Sequence, residues 1–158
     1  MRFLGQILIF LNLLVNYLFK ITVKHHPNNF NSYQPGKCNI GQREISVRKK
    51  FLLLFLPTSI ILSASSFLLP DSKLLWLGVL ICSFSTIVLF SEIKYKFCVI
   101  FGFFSLYNFK QLGNLDHIQE SDKKEKDRQR VLKTIVASMF LALIYSAMLH
   151  YTVVLVRN

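Results

Sequence analysis

The sequence predicts an all-α, polytopic membrane protein: a single membrane domain over residues 1–158 built as a helical bundle, with four transmembrane helices and one short interfacial or re-entrant segment. Three observations lead there. Just over half of the residues are hydrophobic (53%), and they lie in long blocks. The 19 Lys and Arg residues, against 8 Asp and Glu, gather between those blocks and give a formal charge of +11. The blocks are also continuous where a membrane barrel would alternate over about ten residues. Backbone polar groups in lipid must be satisfied within a helix or a closed barrel, so this segregation points to helices.

The first block, 3–19 (FLGQILIFLNLLVNYLF), is the shortest. It reads as a retained anchor more readily than as a cleaved signal peptide, because its apolar run exceeds the usual h-region and no small-x-small site follows it. The next stretch, 20–50, holds seven Lys and Arg residues against the single acid Glu44. Within it, Gln34-Pro35-Gly36-Lys37 suits a type II turn, with proline presetting φ and glycine accepting φ > 0.

The second block, 51–69, contains Pro57, which is expected to kink it. The connector 70–73 (PDSK) then leads to the third block, 74–91. A second basic stretch, 92–133, carries nine Lys and Arg residues before the fourth block, 134–156. Each block approaches the roughly 20 residues a spanning helix needs. Four crossings put both basic stretches on one face and leave the connector on the other. By the positive-inside rule that basic face is cytoplasmic, or the equivalent compartment of an organelle.

Residues 97–109 (FCVIFGFFSLYNF) are apolar but reach only about 20 Å as a helix, against roughly 30 Å of hydrocarbon. Spanning here would translocate the basic 110–133 region. Three arrangements fit instead: packing against the bundle at its cytoplasmic mouth, an interfacial helix with a polar face at Gly102, Ser105 and Asn108, or a continuation of the third helix. Residues 116–130 read as a charged helix, opened by Asp116 with Gln119 and supported by Glu120/Lys124 and Asp122/Lys126, that extends the last span into water.

Lipid gives helices no hydrophobic drive to associate, so small and polar stripes mark where they touch. The stripes are Gly5, Asn12 and Asn16; Ser59, Ser63 and Ser66; Gly78, Cys82 and Ser85; and Ser138, Ala142 and Ser146, continuing to His150. No block interior holds Asp, Glu, Lys or Arg, which argues against an ion-coupled transporter. Neither a phosphate loop, a Gly-x-Ser-x-Gly elbow, a His-Glu-x-x-His motif nor a Cys-x-x-Cys pair occurs. The expectation is therefore a protein with no catalytic, metal or cofactor residues. Its partners would be the lipid bilayer, anionic head groups, and a membrane protein or a second copy, with no role for nucleic acid. Cys38 and Cys98 are kept as candidate thiols for an alternative sulfur-handling role.

From Val47 the arrangement resembles the small inner-membrane domain of YgaP-like bacterial proteins, often found after a rhodanese domain. Arg48 opens FLLLFLP, a second helix follows as LLWLGVLICSFSTIVLF, and Cys98 begins CVIFGFFSLYNF. The match covers about residues 47–110. Val99 stands where that family often has proline, and EIKYK interrupts the approach to the cysteine. The resemblance implies a small bacterial inner-membrane protein and marks Cys98 as a residue to examine.

Overall fold

A computed structural model describes residues 32–110 and 112–157, so the 3–19 block and its stripe lie outside the described residues. The chain is mostly helical. In order it forms α1 (Gln42–Ser65), α2 (Lys73–Tyr95), α3 (Val99–Phe104), β1 (Leu106–Tyr107), β2 (Asp116–His117) and α4 (Ser121–Arg157). α2 packs against both α1 and α4, and the short α3 lies on α4.

Helix ends follow local chemistry. α2 starts where the Ser72 hydroxyl accepts from the Leu75 amide, and the Trp76 indole donates to the Pro70 carbonyl at 2.8 Å. It ends at Lys96, whose left-handed backbone (φ 53°) reverses the chain. α1 stops at Ser65, four residues before the end of the predicted 51–69 block, because Ser66 to Leu69 turn back onto carbonyls of the last turn. Pro57 lies within α1.

Two helices, α2 and α4, are long and apolar enough to cross a membrane. α1 carries Arg48, Lys49 and Lys50 among its last 18 helical residues, so its helical part is less uniformly apolar than the 51–69 block alone. α4 runs unbroken from the charged region into the last apolar block. Its 37 residues correspond to a rod about 55 Å long.

The charged helix does not begin at Asp116. That residue and His117 pair antiparallel with Tyr107 and Leu106, which commits their backbone groups to a ladder, and the helix starts only at Ser121. Glu120 pairs with Lys123 rather than with the Lys124 side chain, whose residue it meets through the backbone. The Pro35-Gly36 turn forms as expected, with Gly36 at φ 67° and the Lys37 amide donating to the Gln34 carbonyl at 3.0 Å.

Residues 97–109 become one turn of helix and the strand β1. Gly102, Ser105 and Asn108 face inward and are buried, whereas Ile100, Phe103 and Phe104 are exposed. The polarity is the reverse of an interfacial helix, because the small residues are what permit close packing. A Cβ on Gly102 would sit 2.6 Å from Phe97 Cζ and 2.8 Å from Val131 Cγ2. Gly102→Ala is therefore expected to destabilise the fold by roughly 1–3 kcal/mol. The check is a lowered Tm in detergent, larger again for Gly102→Val.

Candidate functional site

The two basic stretches meet at one end of the bundle and build a polar cap there. Its centre is Arg48, only 8% exposed although it stands in a run of surface cations. Its Nε donates to Glu92 Oε2 at 3.1 Å and its Nη1 to Glu44 Oε2 at 2.8 Å. The remaining carboxylate oxygens are also satisfied: the Val99 amide donates to Glu92 Oε1 and the Asn108 side chain to Glu44 Oε1, at 2.8 and 2.9 Å. The guanidinium also lies 5.4 Å from the Phe101 ring centroid.

Asn39 completes the centre as a backbone mimic. Fully buried, its amide donates to the Cys98 carbonyl at 3.0 Å and accepts from the Cys98 amide at 2.6 Å. The segment 39–41 thereby threads between Lys96 and Asn108, with the Gly41 amide donating to the Asn108 carbonyl at 2.7 Å. A Cβ on Gly41 would meet Phe109 Cα at 3.1 Å, so this crossing needs glycine for space. Ile40, Ile45 and Cys98 form the small apolar core beneath it.

A second anchor ties the cap to α4. Asp127, fully buried, accepts from the Gly36 amide at 2.6 Å and from the Tyr33 hydroxyl at 3.1 Å, and Tyr33 stacks on Tyr107. Burial raises the Asp127 pKa above its ordinary 3.8, and the two hydrogen bonds only partly offset this. Burial, with help from the Asp127 charge, likewise raises the Tyr33 phenol.

The predicted packing residues are distributed unevenly. Ser59 and Ser63 of α1, Ser66 at its C-terminal cap, and Ser138 and Ala142 of α4 are buried. Within the apolar block of α2 the buried positions are Val79 and Ser83, while Gly78, Cys82 and Ser85 are partly exposed, with Gly78 meeting Leu62. The Ser63 and Tyr145 hydroxyls hydrogen-bond at 2.8 Å and link α1 to α4. Ser146 Oγ is buried with no hydrogen-bond partner among the described residues. His150 packs edge-on to Trp76 at the far end, where Arg157 also meets Asp71. Ser63, Ser66 and Ser83 each donate to a carbonyl of their own chain three or four residues earlier.

Cys38 and Cys98 are both buried, and all three cysteines are free thiols. Burial pushes the Cys98 thiol up, the Glu92 carboxylate adds to this, and the Arg48 guanidinium opposes without cancelling it. Burial raises Cys38 as well. Both are therefore protonated at neutral pH, which withholds the nucleophilic thiolate. Among the described residues no group of three or more His, Cys, Asp or Glu side chains could hold a metal ion.

Sequence reasoning passed over Glu92, Asn39 and Asp127, counted Glu44 only as the lone acid of a basic stretch, and placed Asn108 on a polar face of 97–109 without its partner. The one available signal was a pair of acids, Glu44 and Glu92, each beside the start or end of an apolar block within a basic stretch. Compared with protein-family models, curated proteins and solved structures, the chain matches none.

Two outcomes are expected. Arg48→Ala leaves two buried carboxylates without their cation and should cost about 3–5 kcal/mol in chemical unfolding. Asp127 binds its proton more tightly folded than unfolded, so its contribution to stability is greatest at low pH and declines as pH rises from 3.8 through the raised folded pKa. Asp127→Asn, which can still accept from Gly36 and can donate to Tyr33, should remove that slope when Tm is followed against pH.

Proposed function

We propose that this chain is a small multi-pass integral membrane protein that acts without catalysing a reaction, as an accessory or structural subunit working through helix packing. The observation that carries this reading is polarity turned inside out. Along α2 and α4 only 11% of the most apolar 18-residue window is buried. Within the apolar blocks the buried positions are Ser59, Ser63, Ser66, Ser83, Ser138 and Ala142, with Val79 and Val153, while Leu53, Ile61, Leu77, Ile81, Phe140 and Leu143 are at least half exposed. In water such a surface far exceeds the few hundred Å² of apolar patch a soluble monomer tolerates. In lipid it is the ordinary arrangement, since helix contacts there depend on close approach and hydrogen bonds.

The reading comprises four crossings, at 3–19, 51–69, 74–91 and 134–156, with the basic stretches 20–50 and 92–133 on the cytoplasmic side. Contacts within the cap support that placement: Arg48 meets Glu92, and Gly36 meets Asp127. Arg157 and Asp71 meet at the opposite end. Exposed lysines of the cap, among them Lys37, Lys50, Lys94 and Lys126, suit anionic head groups at about 1 kcal/mol for each one near the surface. The resemblance from Val47 onward favours a bacterial inner membrane. The partner is a membrane protein or a second copy of this chain. The sulfur-handling alternative has two buried, protonated thiols against it, Cys38 and Cys98.

The reading is tested with sealed membranes and a membrane-impermeant amine reagent. Lys37 and Lys124 should be labelled from the same, cytoplasmic, face, and the chain should stay in the pellet after alkaline carbonate. Labelling from opposite faces, or release into the supernatant, overturns it. Replacing Cys38 and Cys98 by serine should leave the association with partner or copy unchanged in detergent-solubilised complexes.

A further inference from the structure

The three long helices leave an open slot at membrane depth. α2 forms its floor through Phe84, Val88 and Leu89, Phe51 and Phe55 of α1 form one wall, and Ile135 of α4 lies on the opposite side. Ile100 of α3 closes the end nearest the cap, and the whole groove encloses about 330 Å³. Its lining is almost entirely apolar; the polar exceptions include Ser85 partway along and Glu92 at the cap end.

We propose that this groove is the seat of the chain's own N-terminal apolar segment, residues 3–19. The proposal rests on the membrane reading above and goes beyond it by assigning one surface to one occupant. Residues 3–19 carry no charge and must find an apolar environment. They join the cap through residues 20–32, a tether that reaches up to about 45 Å when extended. A tethered segment presents itself at an effective concentration on the order of millimolar, well above that of a second protein in the same membrane.

Depth and polarity agree as well. With the basic stretches on one side, a spanning 3–19 helix runs parallel to α2. Asn12 stands seven residues before Phe19, and Ser85 stands seven before Glu92, so each lies roughly 10 Å from the cap end. The Ser85 hydroxyl donates to the Ile81 carbonyl at 2.9 Å and keeps lone pairs able to accept from an asparagine amide. An amide in lipid requires such a partner.

Photo-crosslinking in native membranes tests the assignment. Val88→p-benzoylphenylalanine places the probe in the groove, and Ile144→p-benzoylphenylalanine places it on an exposed position of α4, nine residues on from Ile135 and so on the side of that helix turned away from the groove. Trypsin cuts after Arg2 and Lys20, so the segment is recovered as a single peptide. The expected result is an adduct between the Val88 probe and peptide 3–20 of the same chain, several-fold more abundant than from Ile144. Ile100, 63% exposed at the groove's rim, takes the probe if the Val88 variant is poorly recovered. An adduct to a differently tagged second copy, an adduct to lipid alone, or equal yields from both positions overturns the proposal. Carbonate fractionation of the same samples keeps the two readings apart. A pelleted chain without the adduct defeats the groove assignment alone, whereas a released chain defeats the membrane reading as well.

Discussion

The cap stands on a single guanidinium. Arg48 lies between Glu44, one turn earlier on its own helix, and Glu92, near the end of the next, and all four carboxylate oxygens are spoken for. Burying three ionised groups carries a desolvation penalty of several kcal/mol per ion, which the attraction between them offsets only with good geometry. The return we attribute to the cluster is register. The Arg48–Glu92 contact sets how far α1 and α2 may slide past one another, and Val99 and Asn108 then have defined acceptors to fold against. Asn39 and Asp127 extend this order outward, one replacing a missing backbone pairing and the other joining the Pro35-Gly36 turn to α4.

Away from the cap the physics changes. The long helices meet through hydroxyls and small side chains and present leucine, isoleucine and phenylalanine outward. An interhelical hydrogen bond such as Ser63 to Tyr145 contributes only on the order of 1 kcal/mol. The helical part of the molecule is therefore held by many small terms, and the cap by a few large ones. Specificity of arrangement is concentrated at one end.

Hydrophobic blocks made α2 and the apolar part of α4 legible, because length and continuity are read from single residues in a row. The Gly36 turn was legible for the same reason, since its chemistry is local. The start of α4 was not. Asp116 looks like a helix cap until it is known that Leu106 and Tyr107 lie alongside, a pairing nine to eleven residues apart that no helical spacing signals. Arg48 was misjudged for a similar reason: its neighbours Lys49 and Lys50 make it look like one of a run of topology-setting charges, and only the return of Glu92 through α2 distinguishes it. Asn39 carried no signal, because an amide standing in for a backbone pairing has no periodicity. On α2 the serine stripe pointed near the buried face, but burial centres on Val79 and Ser83, a small rotation about the axis that periodicity does not resolve.

α4 is one continuous helix from Ser121 to Arg157, and it is grasped at both extremities: Asp127 is held by Tyr33 and Gly36, and Arg157 by Asp71. A helix without a break behaves as a stiff lever. A displacement of its Asp127 end is therefore carried along the axis and not taken up at a hinge within the helix.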